Sequence, residues 1–155
     1  VLYLQPSPYV LTFTETRVNE PPVHYIALNE EQQFDVVFTH SIHLTDVVER
    51  YEVLASGDIQ LLSMQYEDVA IGMPGYAEEG QTLIYEDGTY TLYYDEAILP
   101  NFTLYIGDVD YALRFQYEEK AYDLKRNLSQ GKSYLFEIKK VSIYDKMKGV
   151  ELNGG

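Results

Sequence analysis

The sequence predicts an all-β domain, an antiparallel β-sandwich or flattened barrel of about eight to ten strands. The first observation is composition: the chain has 16 tyrosines and 6 phenylalanines in 155 residues, a set of residues that strands favour. The second is that short runs of alternating apolar and polar residues recur between turn signals. The third is that no stretch keeps a helical period, and the one place where a helical turn fits is residues 123–128.

Ten runs are predicted as strands, and turn-forming residues separate most of them. They are residues 9–15, 23–28, 33–40, 47–54, 59–66, 82–85, 90–94, 102–106, 111–115 and 134–143. Prolines at positions 6, 8, 21 and 22 interrupt the first runs, so the first 30 residues are expected to follow a sheet edge. No repeat or linker divides the chain. Residues 1–155 are therefore expected to be a single β domain, with about eight residues peripheral at each end.

The dipeptide Asp87-Gly88 lies between two alternating runs and favours a type I′ hairpin turn. The register that follows pairs Tyr85 with Tyr90 and Leu83 with Leu92. We interpret this patch as ordinary sheet packing. The alternative is that exposed tyrosines stack on a sugar ring, although the chain has no tryptophan to support that alternative.

A second hairpin is predicted between residues 34–40 and 47–53. Alternation sends His40 to the same face as Phe38, and Glu49 to the same face as Tyr51. If the turn centres on residues 44–45, Phe38 opposes Tyr51 and His40 opposes Glu49, with Cβ atoms about 4.5–5.5 Å apart. Two interpretations stay open: a structural ion pair at the end of the core, or the floor of a pocket in which Glu49 orients the imidazole.

The remaining chemistry is limited by residue type and position. Because neighbours in a strand face opposite ways, Ser41 points away from His40, and no catalytic residue is predicted. His40 and His43 have opposite parity and the chain has no cysteine, so no metal site is predicted. Glycine-rich phosphate loops are absent and no cofactor is predicted. Residues 107–110 are interpreted as a hairpin turn, because they lack the ligand set of a calcium loop.

Charge is distributed unevenly along the chain, whose net value is −14. Residues 1–113 carry 19 acidic against 2 basic side chains, a net −17, and residues 114–155 carry 6 against 9, a net +3. An acidic body repels phosphate backbones, which argues against nucleic-acid binding. Either the acidity only keeps the surface soluble, or it attracts cations or a basic partner.

Three short segments carry a resemblance to a known family: Phe38-Thr39-His40-Ser41, Val47-Val48-Glu49 and Ala70-Ile71-Gly72-Met73-Pro74. They resemble a bacterial family of unknown function whose pattern is aromatic-Thr-His-Ser, a Glu about eight residues later, and a Gly-Ala-Gly-Leu-Pro-like loop. The resemblance runs from about residue 10 to residue 141, including a later Leu-Pro stretch at 99–107. Two departures are Ala70 in place of the first glycine of the loop, and Arg50 where several members have a second acidic residue.

The resemblance implies a location and a genetic neighbourhood but no reaction. Members of that family are small exported or membrane-anchored proteins, often encoded beside tripartite (TRAP-type) transporters with TAXI-class solute receptors. It would place this domain outside the cytoplasmic membrane, exported or anchored through a segment missing from this chain. The motif positions that it transfers as binding residues are His40, Ser41, Glu49, Gly72 and Pro74.

The function expected from the sequence is that of a non-catalytic accessory or binding protein of such a transport system. Its partner would be a TAXI-type solute receptor or a TRAP permease, or it would capture a small ligand. Two alternatives from other classes stay open. One is a hydrolase or metal-dependent enzyme that uses His40 and Glu49 as base and orienter. The other is a carbohydrate-binding module that uses exposed tyrosines.

Overall fold

The computed structural model describes residues 9–39, 44–69, 73–107 and 112–154, without the side chains of residues 143 and 144. These residues form twelve strands and two short helices. The strands are β1 (Tyr9–Glu15), β2 (Val23–Ala27), β3 (Gln33–Thr39), β4 (Asp46–Val53), β5 (Ile59–Tyr66), β6 (Gln81–Glu86), β7 (Thr89–Leu99), β8 (Phe102–Tyr105), β9 (Leu113–Tyr117), β10 (Lys120–Asp123), β11 (Ser133–Lys140) and β12 (Val150–Glu151). The helices are α1 (Leu124–Asn127) and α2 (Ile143–Lys148), and neither has the length and apolar character of a membrane span.

The strands form two sheets, which confirms the predicted all-β sandwich. The smaller sheet has the order β12-β2-β1-β11-β8, and the larger has the order β10-β9-β3-β4-β5-β7-β6. Neighbouring strands run antiparallel except β12 and β2, which are parallel. The strand number exceeds the prediction because β10 and β12 span only four and two residues. Runs that short show no clear alternation in the sequence.

An aromatic cluster around Phe136 joins the two sheets. The Phe136 ring lies 5.1 Å from those of Phe13 and Phe34, 4.8 Å from that of Phe102 and 5.5 Å from that of Phe115. Two of these four partners, Phe34 and Phe115, belong to the larger sheet, and the other two belong to the smaller one. Alternation along β1, β3, β9 and β11 sends these residues to the inner faces, where their burial supplies much of the hydrophobic stabilisation.

A second apolar cluster lies on the same face of the larger sheet. Its buried members are Val47, Tyr66 and Leu92, and partly buried side chains that include Phe38 and Met73 pack against them. Among the described residues, none from the smaller sheet belongs to this cluster. The covering side chain Met73 comes instead from the connection between β5 and β6. This face of the larger sheet is therefore covered in part by a loop.

The predicted edge position of the first 30 residues is wrong. β1 lies in the middle of its sheet, paired with β2 on one side and with β11 on the other. Pro21 and Pro22 precede β2, which begins at Val23, so they interrupt no ladder hydrogen bond. One of the two strands that flank β1, β11, lies more than a hundred residues later in the chain, so local sequence signals could not predict this pairing.

The predicted register of the β3–β4 hairpin is also wrong, by four residues. Phe38 pairs with Val47 rather than with Tyr51, and Glu49 pairs with Val36. The connection is centred two residues earlier than predicted: residues 40–45 lie between the last pair of the ladder, Thr39 and Asp46. Because the error is an even number, each side chain keeps the face that alternation assigned to it.

The Asp87-Gly88 hairpin has the predicted register, with Tyr85 opposite Tyr90 and Leu83 opposite Leu92. Asp87 and Gly88 both have positive φ, 51° and 81°. A type I′ turn requires positive φ at both central residues, which an Asp-Gly pair tolerates. The prediction is confirmed in turn position, backbone conformation and pairing.

Candidate functional site

Two of the five predicted site residues, Glu49 and Pro74, belong to the described part of the chain. His40, Ser41 and Gly72 lie outside the described residues, as does the predicted turn at residues 108–110. The predicted opposition of His40 and Glu49 does not fit the observed ladder, in which Glu49 opposes Val36. The site is therefore described from Glu49 and Pro74 outward.

Glu49 is a carboxyl group on the inner face of the larger sheet, in apolar surroundings. Alternation along β4 places it between Val47 and Tyr51, and its neighbours across the ladders are Val36 and Met64. Burial disfavours the charged form and raises the pKa of Glu49. The hydroxyl of Tyr51 donates a hydrogen bond of 2.8 Å to Glu49 Oε2 and opposes part of that rise.

The Tyr51 hydroxyl is held in place by its ring. That ring lies between Phe34, at 5.2 Å and 12°, and Phe102, at 4.9 Å and 17°. Stacking from both sides limits ring movement, so the hydroxyl is preorganised toward the carboxylate. Burial, and secondarily the charge of Glu49, raise the pKa of Tyr51, so the phenol keeps its proton and remains a donor.

Tyr94 of β7 is the third member of this group, which we call the Glu49 cluster (Glu49, Tyr51 and Tyr94). Burial and then the negative charge of Glu49 raise the pKa of Tyr94. The β5–β7 ladder shifts its register between Leu61 and Ser63. This irregularity changes which residues of β7 lie opposite β5. One acid and two protonated phenols thus share the inner face: Tyr51 is hydrogen-bonded to Glu49, and Tyr94 lies within range of its charge.

The chain that contains Pro74 crosses the same face. The Tyr66 hydroxyl donates a hydrogen bond to the Pro74 carbonyl oxygen, and Met73 packs in the apolar cluster that contains Val47 and Leu92. Sequence patterns do not predict whether the β5–β6 connection returns to the side of the sheet that contains Glu49. The structure places Met73 and Pro74 on that side.

A cavity of about 270 Å³ separates this loop from the sheet. Its walls are formed by Pro74, Tyr76, Glu78, Gln81, Leu92 and Tyr94. Tyr94 belongs both to the cavity wall and to the Glu49 cluster, so it connects the two predicted motif regions. At the rim, Tyr76 is 71% exposed and presents an aromatic ring to solvent.

Arg50, which departs from the pattern of the resembled family, lies on the opposite face of the sheet. Its guanidinium makes two hydrogen bonds to Asp35, of 2.9 and 3.1 Å. Asp35 is its cross-strand neighbour in the β3–β4 ladder. Arg50 therefore points away from Glu49 and is paired with Asp35.

Two acidic residues of the β3–β4 hairpin, Asp46 and Glu49, lie on opposite faces of the sheet. Asp46 accepts hydrogen bonds from Thr39 at 2.6 Å and from Arg114 at 3.2 Å on the outer face, while Glu49 lies on the inner face. Within the described ranges, no group of three or more His, Asp or Glu side chains could hold a metal ion. His40 and His43 lie outside those ranges.

The tyrosines considered for sugar binding form a row on the inner face. Tyr66 and Tyr90 stack at 5.6 Å and 11°, and Tyr90 and Tyr85 lie 4.6 Å apart with their rings tilted by 47°. Tyr66 is fully buried and Tyr85 is 62% exposed. These rings pack on one another rather than in one plane, and a sugar would find an open face chiefly at Tyr85.

Sequence reasoning missed Tyr51, Tyr94 and Tyr76 as members of this site. Tyr51 could have been found, because it follows Glu49 by two residues and alternation sends both to one face. Tyr94 could not, since its position depends on the irregularity in β5. Tyr76 carries no signal beyond being an aromatic residue in a turn-rich segment.

One comparison with known proteins gives a match. The profile of a family described as a domain of unknown function (DUF1850) matches residues 34–124, which is more than half of the chain. The matched range contains the seven strands of the larger sheet except the first residue of β3, together with Glu49, Pro74 and Tyr94. No curated protein and no solved structure matches the chain.

Proposed function

Since the chain belongs to the DUF1850 family of domains of unknown function, we propose that it is a non-catalytic binding protein located outside the cytoplasmic membrane. It serves a TRAP-type transport system as an accessory component, and its partner is the TAXI-class solute receptor or the permease. The contact site is the loop segment Met73–Tyr76 together with the cavity beside Tyr94.

The observation that carries this proposal is the meeting of the two motif regions on one face. Glu49 comes from the β3–β4 hairpin and Pro74 from the β5–β6 connection; Tyr94 is affected by the charge of Glu49 and lines the same cavity as Pro74. A rim aromatic such as Tyr76 beside a partly apolar cavity has the character of an interface anchor, because it brings contact area at low entropy cost. The resemblance of the motif segments to exported proteins of transporter gene clusters supplies the choice of partner.

Charge supports a partner with a basic surface. Residues 1–113, which include the whole proposed contact site, have a net charge of −17. Glu78 lines the cavity and Glu79 follows it on the exposed loop. A negative electrostatic field raises the rate of association with a positively charged partner, and this effect weakens as the salt concentration increases.

The test is a titration of a purified TAXI-class receptor from the same organism, and separately of a TRAP permease in detergent. We expect a dissociation constant in roughly the micromolar range that weakens with salt. Tyr76→Ser should weaken binding by about tenfold, because it removes an exposed aromatic anchor. Tyr105→Ser is the matched control: Tyr105 is 56% exposed but lies on an edge strand of the smaller sheet, and its loss should change affinity by less than about twofold.

Absence of binding to both receptor and permease would refute the proposal. Equal losses of affinity for Tyr76→Ser and Tyr105→Ser would refute the proposed contact site but not the choice of partner. Circular dichroism of each variant establishes that the fold is retained before affinities are compared.

One observation favours the enzyme class as a second candidate. Glu49 is a partly buried carboxyl whose pKa is raised by burial, and groups of that kind act as general acids or bases. If that were its role, Glu49→Gln would abolish turnover of a substrate while leaving receptor binding intact. If Glu49→Gln instead weakens receptor binding, and the unaltered protein turns over no substrate, the result favours the accessory role.

A further inference from the structure

One long part of the chain has acidic residues and no basic ones. Residues 51–113, which form β5 to β8 and the β5–β6 connection, contain 12 aspartates and glutamates and no lysine, arginine or histidine. The arginines at either end of this range are paired on the outer face of the larger sheet, Arg50 with Asp35 and Arg114 with Asp46. The cavity beside Tyr94 is therefore built from a part of the chain that supplies no positive charge.

Glu78 is the acidic side chain that lines this cavity, and hydrogen bonds fix its backbone. The Gln81 amide donates to the Glu78 carbonyl oxygen at 3.1 Å, and the Glu78 amide donates to Gln81 Oε1 at 3.0 Å. Gly80 closes this turn with a φ of 79°, and its carbonyl oxygen accepts from the Asp95 amide of β7 at 2.9 Å. Within the part of the chain that the structure describes, the Glu78 carboxylate has no hydrogen-bond or ion-pair partner. It is available to a group from outside.

The other walls of the cavity are aromatic and apolar. Leu92 is 1% exposed and lies at the inner end, whereas Tyr76 is 71% exposed and lies at the rim. Tyr94 adds a second ring to the lining. A carboxylate beside phenol rings favours a cation, because the face of an aromatic ring carries negative potential. The apolar wall favours a cation that carries methylene groups.

The size of the cavity favours a single side chain over a whole ligand. Its volume of about 270 Å³ lies below the roughly 300–1,000 Å³ that is usual for small-molecule sites. Of the two basic side chains, arginine fits this lining better, since its planar guanidinium stacks on aromatic rings and pairs with a carboxylate through two hydrogen bonds. Arginine is also enriched in protein interfaces, whereas lysine is depleted.

We propose that the cavity beside Tyr94 receives an arginine side chain from the surface of a protein partner. The guanidinium pairs with Glu78 and stacks on a tyrosine ring, and the methylene stem covers the apolar part of the lining. The identity of the partner rests on the proposed function. The chemistry of the cavity does not, and it can be tested without the partner.

The first test is an amide chemical-shift titration with N-acetyl-arginine methylamide. The matched probe is N-acetyl-citrulline methylamide, which has nearly the same shape and no charge. We expect shifts in residues 73–81 and around Tyr94, with a dissociation constant in roughly the millimolar range. The arginine probe should bind at least about fivefold more tightly than the citrulline probe, because only the arginine probe gains the ion pair and the cation–π contact.

Three variants test the contribution of each wall. Glu78→Gln should weaken binding of the arginine probe by about twofold to fivefold and leave the citrulline probe unaffected. Glu86→Gln removes the same charge at the other end of β6, outside the lining, and should change affinity by less than about 1.5-fold because salt screens charges that far apart. Tyr76→Leu keeps apolar area but loses the ring, and should weaken the arginine probe by about twofold to fivefold.

Titration of the TAXI-class receptor with the same variants separates this inference from the proposed function. Glu78→Gln should weaken receptor binding by about tenfold, since truncating one partner of an interface charge pair leaves the other unpaired. Selective binding of the arginine probe without any receptor binding would support the cavity and refute only the choice of partner. Receptor binding that changes by less than about twofold in Glu78→Gln would overturn the inference and leave the proposed function in place.

The probe titrations can overturn the inference as well. Equal affinities for the arginine and citrulline probes would remove the selectivity for a cation. Equal effects of Glu78→Gln and Glu86→Gln on the arginine probe would remove the site. Binding of free ethylguanidinium about a hundredfold more tightly than the arginine probe would assign the cavity to a small cation instead of a partner's side chain.

Discussion

Replacing Tyr51 by phenylalanine removes one hydroxyl and keeps the ring between Phe34 and Phe102. The hydroxyl lost is the 2.8 Å donor to Glu49. A hydrogen bond to a charged group contributes about 1.5–3 kcal/mol, and the acceptor here stays buried without it. We therefore expect a loss of about 1.5–3 kcal/mol at neutral pH. For a domain of this size that equals a fall in Tm of about 3–12 °C.

The loss should depend on pH in a direction set by Glu49. Burial raises the pKa of Glu49 in the folded protein above the ordinary value of 4.5, so the folded state holds a proton that the unfolded state has released. Stability from this group is therefore fully present below the ordinary pKa and is lost as pH rises through the folded pKa. Removing the Tyr51 donor raises the pKa of Glu49 further, which deepens that loss above about pH 4.5.

Urea denaturation at about pH 4 and about pH 7.5 measures the effect, provided that m is unchanged. Near pH 4, where Glu49 is largely neutral, Tyr51→Phe should cost only about 0.5–1.5 kcal/mol. The matched control is Tyr134→Phe: its hydroxyl accepts from the Ser129 amide at 2.8 Å, and its loss should cost the same at both pH values. A Tyr51→Phe penalty that is equal at both pH values, or one that persists unchanged in a Glu49→Gln background, would refute the reasoning.

The other predictions concern the core packing and the turns that stabilise the fold. Phe136→Ala should destabilise by about 3–5 kcal/mol, because it empties the centre of the aromatic cluster, and a chemical denaturation loss under about 1 kcal/mol would contradict that placement. Gly88→Ala should cost about 1–2 kcal/mol, since φ is 81°, whereas Gly75→Ala, at a glycine without positive φ and with open space at its Cβ, should be nearly neutral in the same assay. Gly149→Ala should destabilise by about 1–3 kcal/mol and reduce hydrogen-exchange protection in β12, because the added Cβ meets the Val23 carbonyl oxygen; unchanged protection would contradict the close packing of α2 on β2.

Features coded by neighbouring residues could be predicted from the sequence. β1 and β5 have the predicted bounds, because alternation and flanking turn residues are local signals. The Asp87-Gly88 turn is equally local, since the two residues specify both the turn and its register. The helical turn at residues 123–128 appears as α1, capped by the Asp123 side chain, which accepts from the Lys125 amide.

Features that depend on distant parts of the chain could not be predicted. The central place of β1 depends on β11, and the packing of Met73 against Val47 depends on how the β5–β6 connection folds back. The β3–β4 register required the centre of the turn, which composition did not fix, although parity alone was enough to put Glu49 on the inner face. The alignment of Tyr94 on β7 depends on an irregularity in the β5–β7 ladder that alternation does not reveal.

The most direct measurement of partner contact is hydrogen–deuterium exchange of this protein with and without the TAXI-class receptor at saturating concentration. We expect added protection in residues 73–79 and in the neighbouring part of β7 around Tyr94, with no change in β2 or in residues 141–149. Protection confined to the smaller sheet, or none at all at a receptor concentration that saturates binding, would contradict a partner surface built around Pro74 and the Glu49 cluster.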